Sequence, residues 1–393
     1  MSRHLTLMPS LACPASCAYC FGPCGNESDG DGPPMHQGTV EAIVRWQDIL
    51  DDGNAVEITF HGGEPLVPGA EFYRTALPRL YEGLSPRRVR FAVQSNLWLL
   101  TDELCALFCE YGVSIGTSLD GPESINDAQR GRGYFRHAMA GIERARSNGI
   151  SIGCICTFTP QSVPYAGEIF DFFVREELNF TIHAALPSLR YPEANGWDLS
   201  PEAHGELLVE MLDLYLEDLD KVRIGTLDSL CQSVSVGYSG VCTFGDCLGD
   251  YLAVGPEGGI YPCQRFGGMP EYRMGTVHDC PSLEALSASP IWRMFQERQE
   301  RIDVDIDKGC GDCPDLDFCR GGCPYQVLAA NRGSFHRTLR DPHCLAYRRI
   351  LDYIVDRALA EVFREENLAA VVNQPGAGLL RRGGLLSVMQ GHS

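Results

Sequence analysis

From the N-terminus to about residue 185, short apolar runs rich in β-branched residues alternate with longer stretches in which apolar residues recur every three or four positions. The first pattern belongs to buried strands and the second to helices with one covered face. It predicts strands at 4–8, 56–60, 89–94, 113–119, 150–158 and 180–184. Helices are predicted near 38–51, 69–83, 101–111, 134–148 and 163–177, each closed by Gly, Pro or Asn. Strands separated by helices imply an α/β fold with a parallel sheet and right-handed crossovers. Such a sheet can curl into a partial barrel whose strand C-terminal ends carry the chemistry.

The pattern then changes. Leu207, Leu208, Met211, Leu212, Tyr215, Leu216 and Leu219 lie at helical spacing and predict a bridging helix over 200–220. From about 240 to 345 come short segments, turns and nine cysteines, which mark a second domain. A closing helix is expected over 345–363, and 373–393, with Pro375, Gly376, Gly378, Gly383 and Gly384, has little to hold a fold. The expected organisation is a core at 1–199, a bridging helical segment at 200–239, a cysteine-rich domain at 240–345, a closing helix at 346–372 and a flexible tail at 373–393.

The length of 393 residues suits two to three domains of ~150, enough for a core without disulfide staples. With 32 Lys and Arg against 52 Asp and Glu, the net charge of −20 repels phosphate backbones and anionic lipid. Nucleic acid and membrane are therefore excluded as expected partners. No run reaches the ~18 apolar residues of a spanning helix, and the opening MSRHLTLMPSLAC has no signal-peptide core, so a cytoplasmic protein is expected. In a reducing compartment the clustered spacings among 18 cysteines indicate metal rather than disulfide.

Cys13, Cys17 and Cys20 form Cys-x3-Cys-x2-Cys directly after the first strand. Three thiolates on one loop can hold three irons of a 4Fe-4S cubane and leave the fourth iron open. A structural zinc site, the alternative, wants four closed ligands. Cys24 is either a fourth ligand that closes the cluster, a bystander or a thiol at the mouth of the site. After the second strand, His61-Gly62-Gly63-Glu64-Pro65 offers close backbone approach and a carboxylate suited to an ammonium.

The cysteine spacing, with Tyr19 before Cys20, resembles the radical S-adenosylmethionine (SAM) superfamily, and the later elements of the first domain follow in the family's order. The resemblance implies a partial (β/α)6 barrel. It also implies that the turn bearing Gly62, Gly63 and Glu64 receives the SAM amino group, and that Gln94-Ser95-Asn96 forms the family's polar strand end. Ser118, in Ser118-Leu119-Asp120-Gly121-Pro122, would contact the ribose, and Arg130, with Arg132 close by, the SAM carboxylate. SAM chelating the open iron could then be cleaved by one electron to a 5′-deoxyadenosyl radical able to abstract hydrogen from an unactivated C–H bond.

Cys247, Gly258-x4-Cys263, Cys310-x2-Cys313-x5-Cys319-x3-Cys323 and Cys344 resemble the SPASM domain of peptide-modifying radical SAM enzymes, with Cys242 as an eighth cysteine. The resemblance groups Cys242, Cys247, Cys263 and Cys323 around one auxiliary 4Fe-4S cluster and Cys310, Cys313, Cys319 and Cys344 around another. Two structural zinc sites are the alternative. Of the other seven cysteines, Cys154 and Cys156 on a strand and Cys105 and Cys109 on a helix read as buried small apolar residues. Cys24 would be the quenching thiol if the reaction were epimerisation. Asp120 and Glu64 are the acids closest to the expected site, with Asp120 at least as readily shaping its turn, and the acids at 29–31, 51–52 and 303–307 read as solvated loops in preference to a surface for a basic segment.

The family resemblance points to a maturase of a ribosomally made precursor peptide, forming a thioether or carbon–carbon crosslink. Flavodoxin or ferredoxin would supply the electron. Sulfatase maturases of this layout carry an aspartate after the cysteine matching Cys263, where this chain has Gln264, and an amide cannot act as that base. With twelve residues before Cys13, no N-terminal leader-binding domain is expected, so domain surfaces or a separate leader-binding protein would recognise the peptide. No catalytic side chain is assigned. The rival readings are an iron–sulfur electron carrier that does not use SAM and a zinc-bearing companion of another enzyme.

Overall fold

The computed structural model describes residues 3–22, 32–46, 55–84, 89–192, 196–239, 241–245 and 247–362. Cys24, the acids at 29–31 and 51–52 and the expected tail at 373–393 lie outside these residues.

One sheet of nine strands organises the chain, in the order β6-β5-β4-β3-β2-β1-β7-β8-β9. Its strands are β1 (Arg3–Ser10), β2 (Val56–Gly62), β3 (Val89–Gln94), β4 (Ser114–Ser118), β5 (Ile152–Phe158), β6 (Phe180–Ala184), β7 (Tyr251–Val254), β8 (Gly259–Tyr261) and β9 (Gly275–Thr276). All six predicted strands are present. β1 to β6 pair in parallel, as the helices between them require, and form the partial barrel. β1 is central because its Leu5, Leu7 and Met8 are almost wholly buried. Leu5 pairs with Ile58 and Leu7 with Phe60 on one side, and the same two residues pair with Leu252 and Val254 on the other. The cysteine-rich half thus adds β7, β8 and β9 to the same sheet.

The helices of the first half are α1 (Gln37–Arg45), α2 (Gly69–Gly83), α3 (Asp102–Glu110), α4 (Glu123–Arg130), α5 (Tyr134–Ser147) and α6 (Ala166–Arg175). α3 starts where Thr101 accepts a hydrogen bond from the Leu104 amide and two acids follow in the first turn. α2 buries Phe72, Tyr73, Ala76, Leu77 and Leu80, with Tyr73 edge-on to both Phe60 and Phe108. α4 escapes prediction because the residues it buries are Asn126, Gln129 and Arg130, which leave no hydrophobic period to read. The predicted helix near 163–177 is a 3-10 turn over Val163–Tyr165 followed by α6.

The second half contains α7 (Pro201–Glu217), α8 (Gly225–Val236), α9 (Leu283–Ser287), α10 (Pro290–Ile302), α11 (Leu316–Cys319), α12 (Pro324–Ala330) and α13 (Cys344–Val362). The bridging and closing helices pack on each other: Tyr353 of α13 donates to Asp213 of α7, and Gly205 sits so near α13 that an added Cβ would lie 3.2 Å from Ala346 Cα. Arg298, 2% exposed, donates to the carbonyls of Leu339, Gly321 and Gly322 and so fastens the cysteine-bearing loops to α10. No helix among the described residues is long and apolar enough to cross a membrane.

Candidate active site

The loop after β1 crosses the C-terminal ends of the parallel strands, the edge where ligands of such sheets bind. Its register with β2 shifts between Leu7 and Ser10, which turns the strand end into the loop. The Ala18 amide donates to Gln129 O at 2.8 Å, the Cys20 amide to Cys17 O at 3.1 Å and the Tyr19 hydroxyl to Asp120 Oδ2 at 2.8 Å. Cys13, Cys17 and Cys20 all face one cavity of about 190 Å³.

The glycine pair clasps this loop. The Gly63 amide donates to Ser10 O at 3.0 Å and the Glu64 amide to Ala12 O at 2.8 Å. A Cβ on Gly63 would lie 2.2 Å from Leu11 O, and Gly62 combines a φ of +116° with a Cβ position 2.5 Å from Ser10 O. No side chain fits at either position.

Glu64 is 1% exposed, and its carboxylate is engaged by the protein itself. Oε1 accepts from the Leu66 amide at 2.9 Å and the Ser95 hydroxyl at 2.8 Å, while Oε2 accepts from the Asn96 amide at 2.8 Å. Burial pushes this carboxyl up to about 7 against the pull of those three bonds. Glu64 therefore ties the end of β2 to the end of β3, placing Asn96 Nδ2 3.6 Å from Cys13 Sγ. Gln94 and Ser118, on neighbouring strands, meet at 3.4 Å.

Arg130 closes the far wall. It is 5% exposed, grips Asp120 through Nε and Nη2, lies over the rings of Tyr19 and Tyr134, and directs Nη1 toward Cys17 Sγ at 4.0 Å. Burial pushes the Cys17 thiol up to about 12, with Arg130 opposing the shift. A metal-free Cys17 is thus a protonated thiol, and a metal ion would have to displace the proton.

Tyr19, Gly62, Gly63, Glu64, Gln94, Asn96, Ser118 and Arg130 all line this cavity with the three cysteines. The structure adds His61, His183, Gln264 and Arg265 to its wall. Burial pushes both histidines down to about 4, so they are uncharged near neutrality. His183 belongs to β6, close to the functional edge, and Arg265 follows Cys263 by two positions; both signals were present in the sequence.

Four of the C-terminal cysteines gather at one place. Cys310, Cys313, Cys319 and Cys344 line one small cavity beside Arg340 and Asp341, and burial pushes Cys319 up to about 11, with the other three raising it further. Burial likewise pushes Cys263 up to about 12, with Cys323 and Cys242 adding to the rise, and Cys242 and Cys247 both bear on Tyr251. None of the described cysteines is in a disulfide. Cys105, Cys154 and Cys156 are core residues as expected, whereas Cys109, one turn further along α3, is exposed. Among the described residues no three His, Cys, Asp or Glu side chains converge on a single metal ion, and a multi-iron cluster, which holds its sulfurs apart, does not ask for that.

Residues 7–173 match the model of the radical SAM superfamily. An uncharacterized protein of Methanothermobacter thermautotrophicus is 43% identical over 234 residues, 59% of this chain and 87% of that protein. The serine-type anaerobic sulfatase-maturating enzyme of Klebsiella aerogenes is 27% identical over 353 residues, 86% of this chain and 84% of that enzyme. The solved structure of native anSMEcpe with bound AdoMet and Cp18Cys peptide superimposes with a TM-score of 0.77 at 20% identity, covering 92% of this chain and 99% of that one. The chain belongs to the radical SAM superfamily, and its cysteine-rich C-terminal half follows the core as in radical SAM/SPASM enzymes. Membership implies an enzyme that uses a 4Fe-4S cluster and SAM. The donors fit such groups, with three thiols on one loop facing the core cavity and four more around one small cavity in the C-terminal half.

Proposed function

We propose that the chain is a maturase of a ribosomally made precursor peptide that removes a hydrogen from a residue of that peptide and closes a thioether or carbon–carbon crosslink. One observation carries the reading: a single cavity at the strand ends unites Cys13, Cys17 and Cys20, the glycine turn, Arg130 and a wall from the C-terminal half at Gln264 and Arg265. When bound, the cluster and SAM supply a 5′-deoxyadenosyl radical, strong enough to break an unactivated C–H bond. Cys13, Cys17 and Cys20 are assigned as the ligands of that cluster. The backbone of Gly62 and Gly63 is assigned to the SAM ammonium, with Glu64 holding the turn in place. Nη1 of Arg130 is assigned to the SAM carboxylate, Ser118 and Gln94 to the ribose, and Asn96 and Tyr19 to the cavity wall. The cysteine sets of 242, 247, 263 and 323, and of 310, 313, 319 and 344, are assigned to two closed auxiliary 4Fe-4S clusters.

The peptide substrate is supported by the relative solved with a bound peptide. A second reading, maturation of a sulfatase, is favoured by the sulfatase-maturating relatives that align over most of the chain. Gln264 weighs against it, because the amide on the cavity wall cannot accept the proton that aldehyde formation releases. The electron is assigned to a flavodoxin or ferredoxin, and leader recognition to the domain surfaces or a separate protein.

The test is to incubate the reduced, iron-reconstituted chain anaerobically with SAM and cysteine-containing peptides. The expected result is 5′-deoxyadenosine together with a peptide that has lost a hydrogen pair and carries no hydrazide-reactive aldehyde, resisting thiol alkylation where the new bond is a thioether and not where it is carbon–carbon. An aldehyde product would establish the second reading, and absence of 5′-deoxyadenosine would refute both.

A further inference from the structure

The cavity of the cysteine triad does not end at its wall. His183 and Arg265 also line a second chamber of about 340 Å³, on the far side of β6, within the range of about 300–1,000 Å³ usual for ligand pockets. β6 is the last strand of the sheet; Ile224 and Thr226 bond to its outer edge, and α7, α8 and the segments around Thr243 and Gln326 cover it.

The charge of this chamber is opposite to that of the molecule. In a chain with 52 acids and 32 bases, no Asp or Glu is among the residues lining it. Arg265 is its cation, and Arg265 Nη1 is buried without a hydrogen-bond partner. The guanidinium is stacked between Phe21 and Tyr325, at 5.6 Å and 5.4 Å from the ring centroids, which fixes its place but satisfies none of its N–H donors. The N-terminus of α8 adds partial positive charge: Gly225 and Thr226 line the chamber, and Ile224, the N-cap, has no side chain to cap the helix. His183 and His204, uncharged near neutrality, contribute no opposing charge. Gln326 has its Oε1 buried without a partner and its Nε2 on the Tyr347 hydroxyl at 3.4 Å. Turned end for end, that amide keeps a bond to Tyr347 and offers its NH2 to the chamber.

We infer that this chamber is a substrate subsite for a carboxylate of the peptide being modified, with Arg265 as its specificity-determining residue. The inference rests on the peptide-maturase reading and narrows it to peptides with an acidic group near the reacting residue. A guanidinium with open donors pairs strongly with a carboxylate, and loses that partner when an amide replaces it. Arg265 also interacts with Cys323, Cys263 and Cys242, so the rival role is that of a counter-charge to the thiolates. The two roles separate by experiment.

The probes are short fluorescent peptides with a central cysteine or serine, made with Asp or Glu nearby, with Asn or Gln instead, and with the C-terminus free or amidated. Binding to the reconstituted full chain is read by anisotropy in the presence of SAM, with iron content and 5′-deoxyadenosine measured on each sample. Acid-bearing peptides are expected to bind about tenfold more tightly than their amide counterparts. Arg265→Gln should collapse that difference and Arg265→Lys should restore part of it. Ser229→Glu, on the α8 wall and remote in sequence from every cysteine assigned as a cluster ligand, should weaken the acid-bearing peptides alone, which keeps the test valid if Arg265→Gln loses iron. A preference that follows the side chain assigns the site to Asp or Glu, and one that follows the free terminus assigns it to the C-terminal carboxylate. Peptides that bind without regard to acid, or an Arg265→Gln variant that weakens acid and amide peptides equally, would overturn the subsite and leave the maturase reading standing. Failure of every peptide to bind would remove both.

Discussion

Arg130 and Asp120 form a two-pronged buried ion pair, Nε to Oδ2 and Nη2 to Oδ1, each at 2.8 Å. The same carboxylate accepts from the Tyr19 hydroxyl and Gln129 Nε2 at 2.8 Å and from the Thr157 amide at 2.9 Å. One acid at the end of β4 thus fastens α4, β5 and the cysteine loop. Its expected role in shaping a local turn is too small: Asp120 holds together the whole floor of the site. Asp120→Asn keeps the shape but leaves Arg130 buried without its counter-charge, which should cost about 3–5 kcal/mol. Arg130→Gln should cost a similar amount, and the double variant should cost less than the sum of the two. Chemical unfolding of the three proteins checks this, and strictly additive losses would show that the pair is not coupled.

Gly63 lies where the turn after β2 touches the cysteine loop. Gly63→Ala would drive a methyl group into the carbonyls of Leu11 and Ala12, and overpacking of this kind costs about 1–3 kcal/mol. Because the strain falls on the loop carrying Cys13, the loss should concentrate there. The variant is expected to bind less iron in the core and to cleave SAM more slowly, while the iron held by the C-terminal cysteines persists. Iron analysis beside a triple Cys13→Ala, Cys17→Ala, Cys20→Ala control provides the measurement. A variant with wild-type iron and turnover would show that the turn does not clasp the loop.

The parallel strands were legible because each is a compact apolar run, and the motifs because their residues are neighbours in sequence. α4 was not legible: polar residues are buried there for hydrogen bonding, and Asn126, Gln129 and Arg130 look like a surface segment until Asp120 and Thr157 are placed against them. α8 lies inside the segment expected to be helical at 200–239 but was not set apart as a helix of its own, since its buried face is only Leu227, Leu230 and Ser233. The Glu64 carboxylate reads from sequence as a ligand for an ammonium, but its bonds to Leu66, Ser95 and Asn96 exist only once β2 and β3 are adjacent. Arg265 needed tertiary structure most, because its stacking partners are Phe21, next to Cys20, and Tyr325 of α12.

His204 of α7 and His343, just before α13, meet Nδ1 to Nδ1 at 3.0 Å, so one ring donates while the other accepts. Burial, with His343 adding to it, pushes His204 down from 6.5 to about 3. The unfolded chain therefore binds the proton first as pH falls. The stability of the neutral pair is complete above about 6.5 and is lost progressively toward 3, at no more than about 1.4 kcal/mol per pH unit for this one group. His204→Gln keeps a hydrogen-bonding side chain without a titrating ring. Thermal melts between about pH 7 and pH 5.5 should show a steeper acid loss in the wild type than in the variant. Parallel slopes would mean that the pair is already open to water.

Gln264 offers the sharpest test of which peptide chemistry the site performs. It lines the cavity between the cysteine loop and Arg265, where it can donate and accept hydrogen bonds but cannot take a proton. Gln264→Asp would put a carboxylate on the cavity wall that Arg265 also lines, and a carboxylate can act there as a base. On cysteine- or serine-containing peptides this variant should divert part of the turnover from crosslink to aldehyde, read as hydrazide-reactive product by mass spectrometry. The wild type should form none. Aldehyde from the wild type itself would show that another group serves as the base, and the chain would then take its place among the sulfatase maturases it resembles.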